Sequence, residues 1–254
     1  MGDPASAFVG LPAISLAELE DTTALQTRID RKYLVDAAVA DLLVGEVGGA
    51  AAGLKVLEID GRYTFDYETL YFDTPHFALH CDAAHSRRRR FKVRHRSYGI
   101  DTPAVSEVKT KSGRGETIKV RLDEPTLTWG SLSDTDNTFI AEATNGNDAA
   151  LGLGPLLTTR YQRATLVGQT AQSRLTIDRE LRCEAWERND AVAFGGVVLE
   201  TKSAGQASVF DRWLWSHGHR PVRFSKCSTA LALIYPDLPS NKWHRTMTHH
   251  FSAP

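Results

Sequence analysis

Polar and apolar residues alternate with a period of two along much of the chain. Successive side chains of a β-strand point to opposite faces, so this alternation predicts strands. We predict strands at residues 61–73, 89–98, 105–111, 116–122, 158–167, 174–182 and 197–202. The predicted fold class is therefore α+β and mostly β, with an antiparallel sheet and flanking helices.

Two helices are predicted before the first of these strands. Ser15 and Glu18 form an S-x-x-E capping box, which predicts a short helix over residues 16–24. Asp36 predicts the start of a second helix, and the glycine pair at 48–49 predicts its end.

Two further helices are predicted after the last strand. Ser208 and Asp211 resemble another capping box, leading a helix that ends at Gly218. Ser225 predicts the start of the last helix, which Pro236 closes because proline lacks the backbone N–H that a helix needs.

The composition is that of a soluble globular domain, since 42% of the residues are hydrophobic and the formal net charge is −1. We predict a single domain over residues 1–254, with its core at about residues 24–236. The polar stretches at 131–137 and 145–148 are predicted as a surface excursion between strands, too short to form a separate domain, and the tail at 238–254 as peripheral.

The cysteines and the N-terminal segment restrict the cellular context. Three cysteines without C-x-x-C spacing argue against a disulfide framework and against a thiolate zinc site. The N-terminal residues lack a basic signal-type segment, and no long uninterrupted apolar run occurs. We therefore predict a cytoplasmic protein without a membrane segment.

One predicted strand carries cations on a single face. Its alternate positions are all basic: Arg90, Lys92, Arg94 and Arg96. Because residues two apart share a face of a strand, these side chains project together, whereas Phe91 projects to the other side. The strand therefore has one basic face and one largely apolar face.

The same pattern recurs at residues 107–111, 119–121, 174–178 and 198–202. Taken strand by strand, the alternative is a half-solvated sheet with a polar outer face. Solvated faces usually mix charges of both signs, because like charges within reach repel each other. The dominance of cations predicts that these strands line a tunnel or cleft that binds a polyanion.

Glu107 and Glu200 are the exceptions among these cations, and each begins an E-x-K pair whose residues share a face. A carboxylate among phosphate-binding cations is suited to hold Mg²⁺ or Mn²⁺, which prefer oxygen ligands. The alternative is that each glutamate only forms a salt bridge with a neighbouring cation.

Short motifs in one order along the chain resemble the VTC domain, the polyphosphate-polymerase domain of the vacuolar transporter chaperone complex and a branch of the triphosphate tunnel metalloenzymes. The resemblance covers roughly residues 24–235. It is carried by residues 27–33, 71–74, 92–96, 107–109, 161–163, 174–178, 200–202 and 225–226.

The resemblance implies an eight-stranded antiparallel β-barrel that forms a tunnel with inward-pointing cations. It implies phosphate contacts by Lys32, Arg94, Arg96, Lys109, Arg163, Arg174 and Lys226, and metal binding by Glu200. Asp30 and Glu107 are further candidate metal ligands because they are acids among these cations. Its motifs and the charged faces add further expected substrate-binding residues: Arg90, Lys92, Lys111, Lys119, Arg121, Tyr161, Lys202 and Ser225.

The function implied is transfer of the ATP γ-phosphate to a growing inorganic polyphosphate chain, with Mn²⁺ or Mg²⁺ as cofactor. The alternatives are a hydrolase of inorganic triphosphate or nucleoside triphosphates, and a non-catalytic polyphosphate-binding module. The wider superfamily opens with E-x-E-x-K, whereas residues 28–32 read R-I-D-R-K, which favours the polymerase branch. The expected partners are ATP and inorganic polyphosphate or triphosphate, not nucleic acid; the sequence gives no oligomeric state.

Overall fold

The computed structural model describes residues 7–23, 29–50, 53–99, 102–112, 117–126, 128–168 and 173–251. Strands within these ranges are β1 (Ala13–Ile14), β2 (Ile29–Val35), β3 (Lys55–Leu57), β4 (Phe65–Asp73), β5 (Arg90–Ser97), β6 (Ala104–Lys111), β7 (Thr117–Thr126), β8 (Gly154–Val167), β9 (Ser173–Ala185), β10 (Ala191–Ala193) and β11 (Val197–Ser203). The helices are α1 (Leu16–Thr23), α2 (Ala37–Ala50), α3 (Ala78–Ala84), α4 (Asp134–Ala143), α5 (Val209–Ser216), α6 (Lys226–Ile234) and α7 (His244–His250).

The predicted fold class is confirmed. Strand β11 pairs antiparallel with β2 and β9, and β5 pairs antiparallel with β4 and β6. Strands β6 and β7 also pair antiparallel, whereas the short strands β1 and β3 pair in parallel. Among the described helices, none is both long and apolar enough to cross a membrane. The described chain divides into two compact units, and β8 and β9 contribute residues to both.

The first unit comprises the described residues up to Phe65 together with Tyr161–Leu181 and Phe194–Arg223. Its strand order is β2–β11–β9–β8, and β3 pairs with β8. One face of these strands is apolar, with Tyr33, Leu199 and Ile177 side by side in the register, and this face packs in a core with α2 and α5. The opposite face carries the charged residues.

The second unit comprises Asp66–Arg160, Arg182–Ala193 and the described chain from Phe224 onward. Its strand order is β8–β4–β5–β6–β7. The apolar face of β5 and β6 contributes Phe91, Val93 and Val108 to a core that also holds Leu79 of α3 and Ile140 of α4. Here too the opposite face of the strands is left to charged side chains.

Several boundary predictions are wrong. α2 continues past Gly48 to Ala50, and a Cβ atom at Gly48 would lie 2.9 Å from the end of the Leu11 side chain, which would have to shift to make room. Residues 131–137 are mostly exposed, but α4, which the sequence pattern did not predict, begins among them at Asp134. The tail is not peripheral and α6 is not the last helix, since α7 follows a buried Trp243.

Both units use a capping-box aspartate to attach a helix to the apolar side of the charged strands. Asp211 closes the box with Ser208 at the start of α5 and also accepts hydrogen bonds from Tyr33 Oη of β2, at 2.7 Å, and Thr201 Oγ1 of β11, at 2.6 Å. Asp136 closes the box with Ser133 at the start of α4.

Asp136 lies against the strands β5 and β6 of the second unit. Asp136 accepts a hydrogen bond from Ser106 Oγ of β6, and its Oδ1 atom lies 3.8 Å from His95 Nε2 of β5. Ser106 and His95 alternate with the charged residues of their strands. Asp211 thus links two neighbouring strands from behind the charged face, whereas Asp136 is hydrogen-bonded to β6 and only lies near His95 of β5.

Replacing Asp211 with alanine is expected to lower the free energy of unfolding by about 3 kcal/mol or more, because several buried donors lose their acceptor at about 1–3 kcal/mol each. Ser208→Ala removes only the helix cap and should cost about 1 kcal/mol. Urea unfolding of both variants measures the difference. Equal losses would show that the strand contacts of Asp211 do not contribute.

Candidate active site

The strands β5, β6 and β7 present a charged face, called here the basic face. Cross-strand partners share a face, and the register gives three rows: Arg90 with Lys111 and Thr117, Lys92 with Lys109 and Lys119, and Arg94 with Glu107 and Arg121. Arg96 extends the face along β5. Glu107 is therefore the only acid in these rows of the described strands.

Burial along β5 confirms the alternation predicted from the sequence. Phe91, Val93, His95 and Ser97 are buried, and the four cations between them are half-buried. Among the cations of β6 and β7 in the same rows, Lys109, Lys119 and Arg121 are exposed and Lys111 is half-buried. The basic face is therefore open to a ligand on its β6–β7 side.

Glu107 lies at the centre of an ion cluster, with its side chain 0% exposed. Its Oε2 atom accepts from Arg94 Nε at 2.7 Å and Nη2 at 2.6 Å, and its Oε1 atom accepts from Lys119 Nζ at 2.8 Å. Tyr98 Oη donates to Oε1 at 3.1 Å, and Arg96 Nη1 lies 3.7 Å from Oε2.

The charges around Glu107 keep it ionised. Burial alone would raise the pKa of this carboxyl, but Arg94, Arg96 and Lys119 hold the pKa well below its usual range. This geometry matches the ion-pairing alternative for Glu107. Its role as a metal ligand stays a prediction, since its oxygens already accept from the surrounding cations.

Lys92 connects the basic face to the start of α6. Its Nζ atom donates to Ser225 Oγ at 2.9 Å and to Ser228 Oγ at 3.0 Å, and Ser225 is the N-cap of the helix that begins at Lys226. Burial lowers the pKa of Lys92. Cys227, which follows Lys226 in α6, is buried. Its pKa is raised to about 11, so it remains a protonated thiol.

The first unit contains a second charged group, called here the Glu200 cluster. Glu200 lies between Lys32 and Thr176 in the register, and Lys202 lies between Asp30 and Arg174. Lys202 Nζ contacts the Glu200 carboxylate and lies 3.8 Å from Asp30 Oδ2.

Burial would raise the pKa of Glu200, but its neighbours prevent this. Lys202, followed by Lys32 and Arg163, holds the pKa well below the usual range. Glu200 is therefore an ionised carboxylate at the centre of three cations, and only 15% of its side chain is exposed.

Arg163 of β8 is held in a fixed orientation in the same unit. Its Nε and Nη2 atoms donate to the two oxygens of Asp178, at 2.6 and 2.8 Å, and the Asp178 side chain is 0% exposed. The guanidinium group also lies over the Tyr161 ring, 5.1 Å from its centroid. Such a two-point contact fixes the guanidinium plane.

The donor set of the Glu200 cluster fits a hard divalent cation. Two carboxylates, Glu200 and Asp30, lie on either side of the Lys202 ammonium, so a metal held by both would displace this ammonium. Mg²⁺ is commonly held by one or two carboxylates plus phosphate oxygens and water. The Thr176 hydroxyl, beside Glu200 in the register, is buried and has no hydrogen-bond partner among the described residues. It is an additional oxygen that a metal, its water or a phosphate could contact.

The predicted site residues thus fall into two sets. The Glu200 cluster and β8 of the first unit bring together Asp30, Lys32, Tyr161, Arg163, Arg174, Glu200 and Lys202. The second unit holds Arg90, Lys92, Arg94, Arg96, Glu107, Lys109, Lys111, Lys119, Arg121, Ser225 and Lys226.

Sequence reasoning missed three residues of these clusters: Asp178, Thr176 and Tyr98. Arg174, Thr176 and Asp178 are spaced two apart in β9 and therefore share one face of the strand. This alternation could have identified Thr176 and Asp178 as neighbours of the predicted site residue Arg174. Tyr98 follows the end of β5, where alternation gives no information about its direction.

Solved structures show only distant likenesses. A protein from Pyrococcus horikoshii OT3 is 15% identical, with a TM-score of 0.43, and the match covers 78% of this chain and 91% of that one. A Hippeastrum protein, described as a candidate adenylyl cyclase with a dominant triphosphatase activity, is 14% identical, with a TM-score of 0.46 and coverages of 80% and 94%.

A candidate adenylate cyclase from Vibrio parahaemolyticus is 11% identical, with a TM-score of 0.40 and coverages of 76% and 82%. No curated protein sequence gives a significant match. The family assignment therefore depends on a different comparison. The family model described as "VTC domain" matches residues 27–235, which is most of the 254 residues, and the chain accordingly belongs to the VTC domain family.

Proposed function

We propose that this chain transfers the γ-phosphoryl group of ATP to the end of an inorganic polyphosphate chain, in a reaction that depends on a divalent metal. Membership of the VTC domain family supports an activity on polyphosphate or triphosphate. The observation that carries the proposal is the basic face, where rows of cations from three strands surround one buried carboxylate.

The basic face suits a ligand with many closely spaced negative charges. Neighbouring strands lie about 4.8 Å apart, and residues of one face repeat about every 6.7 Å along a strand. Cations at this spacing repel one another, and a single phosphate monoester could contact only a few of them. A chain of phosphates can contact several rows at once and offsets the repulsion.

Arg94 and Arg96 of the basic face are proposed to clamp phosphates of the substrate, and Arg163 of the first unit is proposed separately as a phosphate contact. Phosphoryl transfer depends mostly on positioning the reactants and on neutralising charge on the transferred group. Glu107 and Asp178 hold guanidinium groups in place before substrate arrives, so little side-chain entropy remains to be lost. Lys109, Lys111 and Lys119 would act as point charges along the chain.

Glu200, with Asp30, is proposed to hold the metal. When bound, a divalent ion would neutralise phosphate oxygens and stabilise the charge of the transition state. In the reaction, the bond between the β,γ-bridging oxygen and the γ-phosphorus breaks, and a bond forms between that phosphorus and a terminal oxygen of the acceptor. ADP leaves, and the polyphosphate is one phosphate longer.

Incubation of the purified protein with ATP and Mn²⁺, followed by sizing of the products, tests the proposal. The expected result is ADP together with polyphosphate that lengthens with time, and no product after chelation of the metal. Release of orthophosphate alone, from ATP or tripolyphosphate, would make the chain a hydrolase. Tight, salt-sensitive binding of polyphosphate without turnover would make it a binding module.

A further inference from the structure

Three consecutive arginines, Arg87, Arg88 and Arg89, lie immediately before β5 and are all exposed. Arg90, the next residue, is the first cation of the basic face and pairs with Lys111 in the register. The arginines therefore lie next to the Arg90 end of the basic face. We call them the arginine run.

The backbone of the arginine run is fixed at both ends. Arg87 N donates to the carbonyl of Asp82 in α3 at 2.9 Å, and Ser86 turns the chain with a φ of 55°. On the other side, the Arg90 guanidinium donates to the carbonyl of Arg87. The run is therefore presented on a defined turn between α3 and β5.

The charges of the arginine run are not neutralised by carboxylates of the described chain. Three exposed arginines of the same unit are paired: Arg160 with Glu68 at 2.6 Å, Arg182 with Glu184 at 2.6 Å, and Arg188 with Asp190 at 2.5 Å. Within the described residues, the side chains of the run make no comparable ion pair. Three adjacent unpaired guanidinium groups favour a polyanionic ligand.

We infer that the arginine run is an outer binding subsite for inorganic polyphosphate chains that extend past the Arg90–Lys111 end of the basic face. The inference rests on the proposed function. Tripolyphosphate has only three phosphates and can be held by the rows of the basic face, whereas a long chain continues over the run. The run would then give longer chains a higher affinity.

Nucleic acid fits the arginine run less well. Proteins that bind single strands without sequence preference combine basic grooves with aromatic side chains on which bases stack. Between His85 and Arg90 the chain contains only Ser86 and the three arginines. The first aromatic ring of β5, that of Phe91, is buried in the core and cannot stack on a base.

The test compares the wild-type protein with the triple variant Arg87→Ser, Arg88→Ser, Arg89→Ser. Dissociation constants are measured for tripolyphosphate and for long-chain polyphosphate over a range of salt concentrations. We expect the variant to bind long chains about tenfold more weakly, with a shallower salt dependence because fewer counterions are released. Its affinity for tripolyphosphate should stay within about twofold of the wild type, a much smaller change than the tenfold loss expected for long chains.

A matched control distinguishes the effect of the arginine run itself from the effect of removing three positive charges from the protein. Arg62, Arg220 and Arg245 are also exposed, and changing all three to serine removes the same charge from scattered positions. This control should leave the preference for long chains unchanged. Circular dichroism and urea unfolding of both triple variants confirm that they are folded.

The inference alone is overturned if the wild type binds both ligands and the run variant loses affinity for neither, or loses it equally for both. It is also overturned if the variant loses binding of a single-stranded RNA oligonucleotide but retains long-chain polyphosphate. If the wild type itself binds neither tripolyphosphate nor long chains, the proposed function fails together with the inference.

Discussion

Glu200→Gln is expected to lower metal-dependent turnover of ATP by about a hundredfold or more, while leaving the protein folded. The substitution keeps the shape of the side chain but removes the charge that a divalent ion requires of its ligand. Even residues that only support metal ligands typically contribute about 10- to 100-fold to metal affinity or activity. Turnover is measured over a range of Mn²⁺ concentrations.

A second measurement distinguishes loss of metal binding from the change in net charge that Glu200→Gln causes in the cluster. Glu200 is surrounded by Lys202, Lys32 and Arg163, so its removal leaves a more positive cluster. Metal-free binding of tripolyphosphate should therefore be retained or strengthened in Glu200→Gln, whereas Mn²⁺ binding in the presence of tripolyphosphate should weaken. Glu142→Gln, at an exposed position of α4, is the control and should change neither. Unchanged Mn²⁺ affinity in Glu200→Gln would contradict the metal assignment.

The charged strands could be predicted because strand alternation is a local property. The predicted basic face of β5 agrees with the burial pattern of Arg90–Ser97, residue by residue. The E-x-K pairs likewise located Glu107 and Glu200 among cations of their own strands. What the sequence could not give was the register, which brings Lys119 of β7 and Arg94 of β5 to the same carboxylate.

Strand β2 was missed because one of its cations lies on the apolar face, which hides the alternation of polar and apolar residues. Asp30, Arg31 and Lys32 are consecutive charged residues, although only alternate ones can share a face. Arg31 lies on the apolar side, where its Nη1 atom is 3.3 Å from Asp211 and its guanidinium group lies over the Trp215 ring. Those partners are about 180 residues away along the chain, at separations that no local pattern contains.

Helix α4 was missed for a related reason. Its sequence, DTDNTFIAEA, is mostly polar, and Ile140 is its one buried apolar residue among those the structure describes in this helix. The helix is held instead by the capping box of Ser133 and Asp136 and by the contacts of Asp136 with β5 and β6. The sequence does contain one indication of this helix, because Ser133 and Asp136 form a capping box with aspartate in place of glutamate.

Glu107→Gln is expected to lower the free energy of unfolding by about 3–5 kcal/mol, the usual cost of leaving buried charges without their partner. Arg94 and Arg96 are only 17% and 11% exposed, so water cannot fully replace the carboxylate. Because the pKa of Glu107 is depressed in the folded protein, its contribution is present above the unfolded-state pKa of about 4.5 and is lost as the pH falls below it. The variant and the wild type should therefore converge in stability on acidification.

Tripolyphosphate should restore much of the stability lost in Glu107→Gln, because its oxygens can replace the missing carboxylate among the cations. A ligand at a hundred times its dissociation constant stabilises a protein by about 2.7 kcal/mol, and the added positive charge should tighten binding further. The measurement is urea unfolding with and without tripolyphosphate, compared with the wild type.

Asp136→Asn is the matched control for this rescue. Asp136 is another buried acid of the same unit, but its partners Ser106 and His95 lie on the opposite face of β5 and β6 from Glu107. Its loss should destabilise the protein without creating a new anion site, so tripolyphosphate should stabilise it only as much as the wild type. An equal gain in both variants would mean that the cations around Glu107 do not form a polyanion site. The charge on this face would then serve only the folded structure.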